Sequence, residues 1–191
     1  MGWTQNNPVG AEGIAILAGS ARFTPIAAAK SNAAGVPTRR FVKDLIYAGQ
    51  FVKAATGQRF EVTRERIDDW IEKFGRMRDE GVRVYMPSGH TNDPEKNRGY
   101  VEEMYREGDT LYGVCELIGE DALALQARAE VSIYVPTEIV SGKGVKFEQP
   151  IEHVAFVVDP VIPAQGKFLP IAAGRGSDQV PICRLSQEPV T

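Results

Sequence analysis

The chain predicts an α+β domain, a small closed, mostly antiparallel β-barrel flanked by helices. Three observations carry this expectation. Short β-branched and aromatic runs recur between turn residues, only two segments have helical character, and residues 151–158 are apolar on both parities, as in a strand covered on both faces.

The elements follow in order. Residues 1–38 are Gly, Ala, Asn and Pro with little periodicity and read as a flexible N-terminal arm, and 174–191 read as a C-terminal tail, leaving a working domain at 39–173. Residues 41–52 and 59–62 read as strands broken at Gly57. The clearest helix starts at Thr63 as N-cap, carries Ile67, Trp70, Ile71, Phe74 and Met77 on one face, and stops at Gly81. Its charges Arg64, Asp68, Asp69, Glu72 and Lys73 read as a solvated face. Strands are expected at 82–86, 100–106 and 110–117, the last two joined by a hairpin at Gly108-Asp109. A short Ala- and Leu-rich helix at 120–130 precedes strands at 131–135, 145–148 and 151–158.

A length of 191 residues, 43% of them hydrophobic and 25% charged, suits one compact core with loose ends. A net charge of −3 gives no general pull towards phosphate backbones or anionic lipid, so neither nucleic acid nor membrane is expected as a partner. The apolar stretch at 14–19 lacks a basic leader and is too short for a signal sequence or a span. Cys115 and Cys183 lie far apart with no metal-type spacing, so a reducing cytoplasm is the simplest setting, and no cofactor or metal is expected.

Only two histidines exist, His90 in a polar loop after a strand and His153 inside the apolar run, so imidazole chemistry has few options. Most serines sit in turns or tails, whereas Ser132 interrupts the apolar strand Val131-Ser132-Ile133-Tyr134-Val135 and needs a hydrogen-bond partner there. Cys115 shares parity with Leu111 and Leu117, which favours an inert core thiol over a nucleophile. Ser88 is near His90 in sequence, but sharing a loop does not aim it at the imidazole. His90 and Asp93 supply two metal ligands without a third.

The stretch Ser88-Gly89-His90-Thr91-Asn92-Asp93, followed by Arg98-Gly99-Tyr100-Val101 and Gly108-Asp109-Thr110-Leu111-Tyr112-Gly113, resembles the first-histidine region of herpesvirus assemblins and phage prohead proteases. Val131-Ser132-Ile133 resembles their nucleophile strand, and Glu152-His153-Val154-Ala155-Phe156-Val157 the strand with their second histidine. Residues 44–51 with the helix from Thr63, and Asp159-Pro160-Val161-Ile162-Pro163-Ala164, resemble further parts of Mu-like prohead proteases. The resemblance covers about 39–173 and implies a capsid-maturation serine endopeptidase of the assemblin fold. It makes Ser132 the nucleophile, His90 the general base and His153 the third member, with the carboxylates Glu148, Glu152 and Asp159 as competitors for that third place. It further implies scaffold and capsid proteins as substrates, self-association, and action inside the immature shell in the host cytoplasm. The alternative is a catalytically silent scaffold or capsid-assembly protein of the same fold. An internal echo, Ala21-Arg22-Phe23-Thr24-Pro25-Ile26-Ala27-Ala28-Ala29-Lys30 against Gly166-Lys167-Phe168-Leu169-Pro170-Ile171-Ala172-Ala173-Gly174-Arg175, marks two candidate self-cleavage segments near the arms.

Overall fold

The structure, a computed structural model, describes residues 30–31, 35–53 and 56–171. The tail at 174–191, most of the arm, Cys183 and much of both echo segments lie outside these residues.

Among the described residues, twelve strands and two α-helices make a mixed α+β domain dominated by strands. The main sheet runs in the order β1 (Lys30–Ser31), β2 (Pro37–Tyr47), β7 (Thr110–Ile118), β6 (Asn97–Glu107), β5 (Tyr85–Pro87), β11 (His153–Val157), β8 (Glu130–Tyr134), with β12 (Leu169–Pro170) also on β2. All its pairings are antiparallel except β5 with β11. Hairpins β3 (Gly49–Val52) with β4 (Arg59–Val62), and β9 (Glu138–Val140) with β10 (Lys146–Glu148), stand outside it.

The sheet curls into a half-barrel and is not closed by strand pairing, which corrects the expected closed barrel. β8 and β2 face each other across a seam filled by residues 165–170. Gln165 bonds the backbone of Val131 in β8. On the far side, Leu169 and Pro170 pair with Val42 and Phe41 of β2. Between them Phe168 packs edge-on to Phe41 and stacked on Phe156, at centroid distances of 6.0 and 5.6 Å. Sheet curvature therefore ends at a strand too short to ladder with both neighbours, and side chains complete the closure.

The main core lies on one face of the curled sheet, where α1 packs against β6. α1 (Arg64–Asp79) buries Ile67, Trp70, Phe74 and Met77, the residues of its apolar stripe. The Thr63 hydroxyl accepts from Arg66 N at 3.2 Å as N-cap. The β6–β7 turn is tied to this helix by Arg106 on Asp68 at 2.7 Å and by Arg64 on Asp109. Several boundaries differ from expectation. The strand expected at 82–86 starts only at Tyr85, because Val82 N caps the helix at Met77 O, 2.8 Å away. α2 (Glu120–Leu125) is half the length expected, and Ala122 is its sole fully buried residue. The strand expected at 41–52 divides into β2 and β3 at Ala48, whose N–H turns to Asp109 O at 2.7 Å.

Candidate active site

β8 and β11 form the platform. Their register pairs Ser132 with Ala155 and Tyr134 with His153. Matched residues of an antiparallel pair share a face, and alternation separates them from Val131, Val154 and Phe156, which belong to the core. Ser132, Tyr134, His153 and Ala155 thus share the face opposite these core residues, with Ser132 and His153 as diagonal neighbours. Such diagonals lie about 7–8 Å apart between backbones, within reach of a ring. Ser132 and His153 are both buried.

His90 reaches this face from the loop after β5. The parallel pairing of Tyr85 with His153 continues as a bridge from Ser88 to Phe156, and Gly89 N donates to Phe156 O at 2.9 Å. Gly89 then adopts φ +76°, a conformation natural to glycine, and the chain leaves the sheet edge carrying His90. The result is direct contact between the chain's two histidines, His90 Nδ1 lying 2.9 Å from His153 Nε2. His90 remains exposed, so its far edge is open to solvent.

His153 is sandwiched between aromatic rings. Tyr134 stacks on it at 4.9 Å and 15°, and Tyr85 lies 5.1 Å away at 43°. This burial, reinforced by the charge His90 carries when protonated, pushes the His153 pKa down to about 4. Partial desolvation of the His90 ring, whose Nδ1 edge meets His153, also lowers its pKa below the ordinary histidine value. Near neutral pH both rings are therefore neutral, and the 2.9 Å contact holds a single proton.

The position of that proton decides what His90 can do. If His90 Nδ1 donates to His153 Nε2, then His90 Nε2 is a free lone pair able to act as base, and the second proton sits on His153 Nδ1. That nitrogen is buried without a hydrogen-bond partner. In the reverse arrangement His153 Nε2 donates, Nδ1 becomes a lone pair, and His90 Nε2 is protonated and cannot accept. A buried unsatisfied N–H costs about 1–3 kcal/mol, so the base-competent tautomer carries an intrinsic penalty.

The carboxylates weighed for the third place sit elsewhere. Glu148 faces Glu138 on the exposed β9–β10 hairpin, Asp159 is exposed after β11, and Glu152 lies on the strand parity opposite His153. None of them bonds either histidine among the described residues, and the group at His90 Nδ1 is His153. Ser88 is matched to the core-facing Phe156, so it points away from the histidine face. Cys115 is buried, its thiol pKa pushed up to about 12 by desolvation. Asp93 is engaged as cap of the 3-10 turn at Pro94–Lys96, accepting from Glu95 N at 3.0 Å.

Two features near the site carried little sequence signal. Gln165 spans the Val131 backbone with both ends of its amide, accepting from N at 3.0 Å and donating to O at 2.8 Å. Lys43 is wholly buried in β2 and bonds Asp44 Oδ1 and Gly166 O, both at 2.6 Å. Its parity with Phe41 and Leu45 was the available clue, since a lysine on a core-facing position demands an internal partner. Comparison of the chain with protein-family models, with curated proteins and with solved structures returns no match.

Proposed function

We infer that the chain is a serine endopeptidase of the capsid-maturation, assemblin-like type, with Ser132 as nucleophile, His90 as general base and His153 as third member. The observation that carries this reading is the contact between the only two histidines, one exposed and one buried, on the face that also bears Ser132. Two rings serving only as packing have no need of an exposed partner, whereas here an exposed imidazole bonds a buried one on the face that carries Ser132.

In the mechanism, His90 Nε2 takes the Ser132 proton as Oγ adds to the scissile carbonyl carbon, whose oxygen takes the electron pair. The resulting imidazolium returns the proton to the departing amine, and water then hydrolyses the acyl-serine by the same relay. His153 accepts the His90 Nδ1 proton bond throughout. A neutral imidazole stabilises the imidazolium less than a carboxylate does, so turnover is slow, which suits an enzyme acting once per shell on scaffold and capsid proteins. The chain's own arms, with the Pro-Ile-Ala-Ala echo, are further substrates.

The test is labelling with a fluorophosphonate, in which Oγ displaces fluoride from phosphorus. Wild type labels at Ser132 and clips its arms on mass spectrometry, while Ser132→Ala folds, stays intact and does not label. A wild type inert towards probe, scaffold and itself favours the silent assembly protein. Labelling of Ser132→Ala would move the nucleophile elsewhere.

A further inference from the structure

We propose that Gln165 is a positioning residue for Ser132, its amide serving as a one-residue strand on the open edge of β8; this rests on the protease reading above. β8 ends the sheet, and β11 pairs with only one of its edges. On the other edge the N–H and C=O of Val131 point outwards, where a neighbouring strand would satisfy them. Gln165 does so instead, with the donor and acceptor pattern of a strand residue.

The contact bears directly on the nucleophile. The peptide unit joining Val131 to Ser132 is gripped from both sides, its C=O by Gln165 Nε2 at 2.8 Å and its N–H, on the β11 side, by the register with Ala155. Rotation of that peptide plane would swing Ser132 relative to the histidines, and small displacements of a nucleophile cost catalysis heavily.

Gln165 is itself held. Gly166 N donates to Asp44 Oδ2 at 2.7 Å, and Gly166 O accepts from the buried Lys43 ammonium at 2.6 Å, so the next residue is clasped to β2. Ala164, just before it, sits at φ +57°, a left-handed conformation unfavourable for alanine. Such strain persists where the surroundings over-determine it, here by fixed contacts immediately downstream. The 34-residue separation between Val131 and Gln165 shows that tertiary structure builds this contact.

Three variants read by fluorophosphonate labelling and by amide exchange of the full chain test the assignment, because the probe needs no substrate recognition. Gln165→Ala is expected to label roughly tenfold more slowly or worse, with faster exchange of the Val131 amide. Gln165→Glu carries an anionic oxygen against Val131 O at neutral pH and is expected to be equally slow. Protonation restores the donor and acceptor pair, so its rate relative to wild type rises as the pH falls from about 7.5 to about 5. Gln165→Met fills the same space without hydrogen bonds and is expected to resemble Gln165→Ala, separating packing from bonding. A labelled wild type with Gln165→Ala within about twofold of it, or with an unchanged Val131 amide, overturns the assignment alone. A wild type that never labels overturns the protease reading itself.

Discussion

Replacing His153 by glutamate separates the role of the third member from that of the base. A glutamate carboxylate oxygen lies as many bonds from Cβ as histidine Nε2, so His153→Glu places an anion where Nε2 now meets His90 Nδ1 at 2.9 Å. An opposite charge this close raises a histidine pKa by about 1–3 units, or about 1.4–4 kcal/mol. The exposed edge of His90 favours the lower end. The carboxylate also removes the tautomer conflict, because it can only accept. The imidazolium of the addition step gains the same stabilisation, and the plateau labelling rate rises about tenfold per 1.4 kcal/mol. Because a raised pKa keeps His90 protonated to higher pH, the acid limb of the rate profile moves upward in pH. The assay is the pH dependence of labelling beside an NMR titration of His90, which becomes the chain's sole histidine. A His90 midpoint equal to or below that of wild type would refute the proton relay.

Acid should weaken the wild-type fold through the same pair. Folded His153 has a pKa of about 4 and folded His90 is also depressed, so the unfolded chain binds more protons below about pH 6.5. The stabilisation is full above that value and is lost as the pH falls towards 4, with His153 contributing on the order of 3 kcal/mol. Urea unfolding across this range checks it, and a flat profile would contradict the buried neutral ring. Lys43→Met takes the donor from Gly166 O and from Asp44 Oδ1, leaving Asp44 only its bond from Gly166 N, and should cost about 1–3 kcal/mol, read as a lowered urea midpoint at constant slope. Ala164→Gly keeps the chain path while relieving the left-handed alanine, and should raise stability by about 1 kcal/mol.

What the sequence disclosed was whatever repeats locally. The spacing of Ile67, Trp70, Phe74 and Met77 makes one stripe at helical period, and Thr63 announces its start, so α1 is legible without tertiary information. β11 is legible because Val154 and Phe156 serve the core while His153 and Ala155 lie under aromatic and loop cover, leaving no polar parity. The seam was not legible. Gln165 follows Pro163 and Ala164 in a stretch without period, and its role exists only because β2 and β8 approach there. β12 is two residues long and owes its strand character to β2. Both histidines and Ser132 could be singled out by scarcity and setting, but their shared face depends on the β8–β11 register, which residue types do not specify.

The stacking of Tyr134 on His153 has a practical consequence. A ring 4.9 Å above another and nearly parallel to it places the lower ring's protons in its magnetic shadow, shifting them upfield. The chain has two imidazoles, and His90, 6.1 Å from the same tyrosine and tilted by 54°, is shielded far less. The two sets of imidazole resonances should therefore separate without isotopic assignment, one displaced and one ordinary. Their separation is a gauge of whether the platform is assembled, readable on wild type and on every variant above that keeps both histidines.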